Sequence, residues 1–202
     1  ANAVKAIKEE IEKAGHELVL LEKYTEKAQL LDAVKDVEAM IVRSDKITPD
    51  VMDAAPKLKI IVRAGAGYDS IDTAYAKEKG IVVENTPGQN ANAVAELVLG
   101  LLVYAVRAFF NGKSGSELIG KKLGLLAFGN VGRNVARIAK GFGMDVYAYD
   151  AFCPANVIEE AGVHAVPNQE ALFDQCDIVS LHIPATPETK QSINYALVNR
   201  LP

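Results

Sequence analysis

The chain holds 202 residues, 22 of them Lys or Arg and 26 Asp or Glu, for a net charge of −4. Half of the residues are hydrophobic and 24% are charged, which excludes a disordered chain; the mild acidity argues against a nucleic-acid binder, which needs a basic stripe. Two cysteines, Cys153 and Cys176, without CxxC spacing exclude a disulfide framework and suit a reducing, cytoplasmic compartment.

The opening residues Ala1-Asn2-Ala3-Val4-Lys5 lead into a charged amphipathic stretch over 4–14, with no apolar signal core. Apolar, β-branched runs then alternate with helical patterns. A strand is expected over 18–21, a helix over 28–37, strands over 39–42 and 59–62, a helix over 71–79 and a strand over 81–83. Pro and Gly within Asn85-Thr86-Pro87-Gly88-Gln89-Asn90 break the chain, and a long helix follows over 91–110. It contains the longest apolar run, the ten residues 97–106 between Glu96 and Arg107. A membrane-spanning helix needs about 20, so this run reads as a buried helix and no membrane partner is expected. Beyond the turn-rich 111–116, strands are expected over 123–127, 146–149 and 178–181, with helices over 131–140 and 168–173 between them.

Strand–helix–strand alternation implies parallel strands with crossover helices, hence an α/β fold of two parallel-sheet units, 1–89 and 90–202, joined by the long helix. Such units normally open on a strand and feed each helix into a further one. This chain opens on a helix and closes at Asn199-Arg200-Leu201-Pro202 just after a helical stretch, so both units are expected to be incomplete.

The strongest chemical signal is Leu123-Gly124-Leu125-Leu126-Ala127-Phe128-Gly129-Asn130-Val131-Gly132 followed by a helix. A strand that turns tightly into a helix N-terminus presents free N–H groups and a positive dipole end to a diphosphate. Gly129 would let the backbone approach the phosphates, and Gly132 would let helix and strand pack closely. The first fingerprint position holds Ala127 instead of Gly, at a cost on the order of 1 kcal/mol if the turn requires a positive φ there. Asp150 ends the next strand, placed to bind both ribose hydroxyls. Its carboxylate would repel a 2′-phosphate, and the residues after it, Ala151, Phe152 and Cys153, offer no cation, so NAD is expected over NADP. The competing reading is a packing turn with Asp150 as a solvated strand end.

Arg43 and Arg63 follow matching strands, at the C-terminal edge where open α/β sheets bind ligands. Two guanidinium groups there suit a carboxylate or phosphate, and Ala64-Gly65-Ala66-Gly67 is small enough for backbone N–H groups to close around an anion. The alternative is two solvated charges. His182 ends a strand without a carboxylate partner and reads as lining a cofactor cleft. His16, His164 and Lys46 read as surface residues, Cys153 as an inert thiol, and no residue cluster has metal-ligand spacing.

Together these residues resemble the D-2-hydroxyacid dehydrogenase family over nearly the whole chain. Arg63-Ala64-Gly65-Ala66-Gly67-Tyr68-Asp69-Ser70-Ile71-Asp72 resembles the family's substrate-carboxylate loop. Asn85-Thr86-Pro87-Gly88 and Val94-Ala95-Glu96 resemble its entry into a long interdomain helix, and Gly120-Lys121-Lys122-Leu123-Gly124 leads into the fingerprint as it does there. His182-Ile183-Pro184-Ala185-Thr186-Pro187-Glu188-Thr189 resembles the family's signature beside the adenosine. Within the family, Ile41-Val42-Arg43-Ser44 together with Arg63 is most similar to the branch acting on 3-phosphoglycerate, whose substrate carries a carboxylate and a phosphate.

The resemblance implies an NAD-dependent oxidoreductase of two domains with the active site in the cleft between them. It transfers hydride between C2 of a D-2-hydroxy acid and nicotinamide, with the 3-phosphoglycerate reaction of serine biosynthesis as the expected step. It implies substrate contacts from Arg43, Ser44, Arg63, Ala64, Gly65, Ala66 and Gly67. Cofactor contacts would come from Ala66, Val94, Gly129, Asn130, Val131, Gly132, Asp150, His182, Ile183, Pro184 and Thr189. It also implies a homodimer formed largely through the nucleotide domain, which gives 97–106 a second reading as dimer core. In the family a catalytic arginine follows the strand after the His-x-Pro signature, with an acid and a histidine later still. Those positions would lie past Pro202, so no catalytic residue is expected within the chain, and His182 is not a substitute. The alternatives are a glyoxylate- or lactate-type dehydrogenase and a non-catalytic, NAD(H)-sensing protein of the corepressor kind.

Overall fold

The computed structural model describes residues 2–202, with side chains from residue 5 onward. The chain divides into two compact units, Ala1–Pro87 and Gly88–Pro202.

The first unit opens with α1 (Asn2–Lys13), a solvated helix carrying Lys5–Glu9 and Lys8–Glu12 ion pairs at 3.7 Å, each at i,i+4 spacing. After it come α2 (Lys27–Ala33), β1 (Ala39–Val42), α3 (Pro49–Asp53), β2 (Ile60–Arg63), α4 (Thr73–Glu78) and β3 (Val82–Asn85). The strands form one parallel sheet in the order β1-β2-β3. Ile47, Val51 and Ile61 are fully buried at its centre. Local chemistry starts the helices. Glu26 and Gln29 form a capping box on α2, Pro49 opens α3, and the Asp72 carboxylate accepts the Tyr75 N–H at 3.0 Å to cap α4.

The strand expected over 18–21 does not form. The segment is irregular and exposed, with Val19 at 60% and Leu20 at 53%. No described strand lies beside it, and without a partner an apolar run has nowhere to place its backbone hydrogen bonds.

The second unit begins with α5 (Ala91–Val106), a 3₁₀ turn over Ala108–Phe110, and β4 (Lys122–Leu126). It continues through α6 (Asn130–Gly141), β5 (Asp145–Tyr149), α7 (Ala155–Glu160), the short β6 (His164–Ala165), α8 (Gln169–Gln175), β7 (Ile178–Leu181) and α9 (Tyr195–Val198). Its parallel sheet runs β6-β5-β4-β7, so the chain reverses direction across the sheet between β4 and β7. Strand β4 is central and buried on both faces, which explains its unbroken apolar run. Leu123, Leu125 and Phe128 pack with Val135 and Ala139 of α6 and with Ala95 and Leu99 of α5. On the opposite face Leu126 meets Leu172 and Cys176, so close that a Cβ on Gly124 would come within 2.9 Å of Leu172 and 3.1 Å of Cys176.

The long helix differs from expectation at its C-terminal end. It ends at Val106, and Ala108, Phe109 and Phe110 all take positive φ, a conformation that no continuing right-handed helix allows. The division between units falls before it, so α5 is an element of the second unit, as the expected bounds 90–202 have it. Helices α3 and α7 and strand β6 are too short to leave a periodic signature in the sequence.

Candidate functional site

In the second unit the C-terminal ends of β5, β4 and β7 lie side by side, and the chain reversal between β4 and β7 is where such sheets form a crevice. Leaving β4, the chain turns through Ala127, Phe128 and Gly129 into α6. Ala127 sits at φ 84°, so the missing first glycine is carried as backbone strain on the order of 1 kcal/mol. Gly129 is the N-cap of α6 and supplies no side-chain cap. A Cβ on it would meet nothing within 4 Å, so the turn is open there, and the first N–H groups of α6 await an acceptor. Gly132 has the opposite reason to be glycine, since a Cβ on it would collide with the Ala127 carbonyl oxygen. Asn130 rests against Gly88, whose Cβ would come within 2.9 Å of Asn130 Nδ2. Val131 packs on the core.

Asp150 closes this turn from the next strand. Its Oδ2 accepts the Phe128 N–H at 2.7 Å, and its Oδ1 accepts the N–H groups of Phe152 at 2.8 Å and Cys153 at 2.9 Å. Burial pushes its pKa up, but these three N–H donors and the Arg133 charge outweigh burial and hold the carboxyl below its ordinary value. A carboxylate has about four acceptor positions. With three N–H groups bound, roughly one remains for an incoming hydroxyl.

In the first unit, Arg43 directly follows β1 and Arg63 ends β2, and the register pairs Val42 with Arg63. The two arginines therefore leave neighbouring strands at one sheet edge. Arg43 and Ser44 are exposed. Arg63 folds over its own loop, with Nε buried and without a hydrogen-bond partner among the described residues. Gly65 lies beneath the guanidinium at φ 155°, where a Cβ would collide with Arg63 Nη1. The loop is pinned at several points. Ala64 N–H donates to Val42 O at 2.8 Å, Thr86 N–H donates to Gly65 O at 3.0 Å, and Asn85 Nδ2 donates to Ala66 O at 2.6 Å. Among the described residues, the N–H groups of Ala66 and Gly67 have no acceptor. A cation and free N–H groups in one short loop form an anion-binding arrangement.

Residues 2–200 match the D-isomer specific 2-hydroxyacid dehydrogenase catalytic domain. The chain belongs to this family. A hydroxypyruvate reductase of Thermotoga maritima is 42% identical over 192 residues, covering 88% of this chain and 61% of the relative. A D-3-phosphoglycerate dehydrogenase of Methanocaldococcus jannaschii is 40% identical over 181 residues, covering 83% of this chain and 34% of that one. The crystal structure of NAD+-bound 3-phosphoglycerate dehydrogenase from Entamoeba histolytica superposes with a TM-score of 0.92 at 47% identity, over all of this chain and 64% of that one. The chain thus spans between about a third and two thirds of the length of these relatives.

The His-x-Pro sequence at 182–184 follows β7 directly. His182 N–H donates to Leu126 O at 2.9 Å, which brings the residue beside the β4 turn. Burial lowers its pKa, and its Nε2 is buried with no partner among the described residues. Ile183 packs with Leu126, Leu172 and Cys176. Pro184 and Thr189 belong to the same loop. Thr189 Oγ1 donates to Pro184 O at 2.5 Å and accepts the Thr186 N–H at 2.8 Å, so this hydroxyl builds the loop. Val94 lies one turn into α5, half-buried.

Residues 151–153 offer no cation, as expected, and a positive charge that sequence reasoning missed acts on Asp150 from α6. Arg133, in the first turn of α6, donates from Nη2 to Cys153 Sγ at 3.4 Å and lies 4.8 Å from the Phe128 ring centroid. The sequence carries one hint of it, a positive charge in the helix turn where the dipole disfavours it.

Proposed function

We propose that this protein is an NAD-dependent oxidoreductase transferring hydride between C2 of a D-2-hydroxy acid and nicotinamide. In this reading the substrate pair is 3-phosphoglycerate and phosphohydroxypyruvate, the step used in serine biosynthesis, with residues 1–89 as the substrate-binding domain and residues 90–202 as the NAD-binding domain. The observation that carries the substrate assignment is the pair of arginines at one sheet edge, with the Arg63 guanidinium folded over Gly65 and its Nε unpartnered. One anion is held by Arg63 and the free N–H groups of Ala66 and Gly67, the other by Arg43 and Ser44. The residues beyond β4 fit a dinucleotide. The uncapped N-terminus of α6 at Gly129–Gly132 would hold the diphosphate, Asp150 the adenosine ribose, and the orphaned Nε2 of His182 a polar group along the crevice. NAD bound there supplies or accepts the hydride. His182 has no carboxylate partner among the described residues and is not read as the proton-transfer group.

The test is the rate of NADH oxidation by the full-length protein with phosphohydroxypyruvate, hydroxypyruvate and glyoxylate. A charge-assisted phosphate contact contributes roughly 1.5–3 kcal/mol, so kcat/KM should favour the phosphorylated acid by about tenfold to a hundredfold. Equal values would support the second reading, a hydroxypyruvate- or glyoxylate-type reductase, which the names of two relatives favour.

The same reading includes a homodimer in the cytoplasm. Leu97, Leu101 and Tyr104, exposed by 62%, 56% and 41%, form an i, i+4, i+7 stripe on α5. Tyr104 meets Phe109 and Phe110 at ring-centroid distances of 5.2 and 5.3 Å. A second copy would cover this apolar face. The Leu97→Glu/Leu101→Glu variant should halve the mass seen by light scattering; an unchanged mass would rule the stripe out. The free thiols Cys153 and Cys176 suit the cytoplasm, and cell fractionation should place the protein with soluble cytosolic markers.

A further inference from the structure

Arg133 stands where the fold alone does not call for it. It occupies the first turn of α6, where a positive charge opposes the helix dipole. Its guanidinium covers the buried Phe128 ring and donates to Cys153 Sγ. Those two residues bracket Asp150. Phe128 and Cys153 supply two of the three N–H groups bound by the Asp150 carboxylate, at 2.7 and 2.9 Å. A carboxylate and a guanidinium therefore both engage the same two residues, Phe128 after β4 and Cys153 after β5. The carboxylate is largely committed to backbone. The guanidinium has about five N–H donors, and Cys153 Sγ is its one hydrogen-bond acceptor among the described residues.

We propose that Arg133 is a second determinant of cofactor choice, a latent partner for the 2′-phosphate of NADP(H) whose attraction is offset by the Asp150 carboxylate. The inference rests on the assignment of the adenosine ribose to Asp150. A phosphate on the ribose 2′-oxygen enters a site holding one negative and one positive side chain. The carboxylate repels it, and the guanidinium offers the forked donor geometry that suits phosphate. Exclusion of NADP(H) then rests on a single charge and not on the shape of the site. Replacing that charge by a neutral group leaves only the attraction.

The experiment is a titration of the full-length protein with NADH and NADPH, followed by nicotinamide fluorescence, for four proteins: unmodified, Asp150→Asn, Arg133→Ala and the double variant. Asp150→Asn should bind NADH more weakly and NADPH at least about tenfold more tightly than the unmodified protein, the scale of one charge-assisted contact. In the double variant the NADPH gain should vanish while NADH affinity stays at the Asp150→Asn value. Arg133→Ala alone should weaken NADPH without weakening NADH, and Arg133→Lys should restore part of the loss. The proposal is overturned if the double variant binds NADPH as tightly as Asp150→Asn, or if Arg133→Ala weakens both cofactors equally, as general damage to α6 would. If Asp150→Asn changes neither affinity, the ribose assignment itself is wrong, a result distinguishable from failure of the Arg133 role alone. Circular-dichroism melts of all variants separate these outcomes from unfolding.

Discussion

Each of the two sheets ends a central strand in a glycine loop suited to an anion, and the two loops achieve this by different means. After β2, the charge is a side chain, and Gly65 is small so that the Arg63 guanidinium can lie across the backbone. After β4, the charge belongs to the backbone, and Gly132 is small so that α6 can start against the Ala127 carbonyl. The first device holds a full positive charge that a point mutation removes. The second holds a partial charge spread over several N–H groups, which no single side-chain truncation abolishes. A glycine pattern alone therefore does not say what kind of site it builds. What occupies the space of the absent Cβ does.

The comparison is broken most severely at Gly65 and Arg63. Arg63→Ala should lower kcat/KM for phosphohydroxypyruvate roughly a hundredfold, mainly through KM, with NADH affinity unchanged in a separate titration. Gly65→Ala should reproduce most of that loss although it leaves the charge in place, because the guanidinium is expelled from its position. Gly132→Ala comes next. Overpacking of this kind costs about 1–3 kcal/mol, read as a lower urea midpoint, and it should weaken NADH while leaving the substrate KM untouched.

A smaller effect sharpens the contrast through pH. Burial holds the pKa of His182 below its ordinary 6.5. The unfolded chain therefore binds this proton more readily, and the associated stability is full above 6.5 and lost as pH falls through the folded-state value. Asp150, also depressed, acts in the same sense at lower pH, below its ordinary 3.8. Urea midpoints measured across mildly acidic pH should fall with acidity, and His182→Gln should flatten the upper part of that slope. The smallest effect concerns thiols. Burial pushes Cys176 up to about 11, so near pH 8 only about one thiolate in a thousand is present. A thiol reagent should consume Cys153 first and Cys176 only on unfolding.

Much of this was legible in the sequence because it is local. The run from Leu123 to Gly132, the acidic end of β5 and the matched arginines are each readable from a few neighbouring residues. The parallel sheets follow from alternation. What escaped depends on residues far apart in the chain. Segment 18–21 has the composition of a strand but no partner among the described residues, and partnering is not a property of the run. Asp150 reads as a free ribose ligand until Phe128, 22 positions away, is seen to donate to it. Arg133 comes within reach of Cys153, 20 positions away, only because α6 starts in a particular direction, so a search of residues 151–153 could not find the cation.

The most direct test of the central claim is a crystal structure of the full-length protein grown with NAD+. The account predicts diphosphate oxygens on the N–H groups at the start of α6 and the adenosine ribose on Asp150, with the Arg133 guanidinium beside its 2′-hydroxyl. A dinucleotide bound away from the β4 turn, or a ribose that does not touch Asp150, would contradict it.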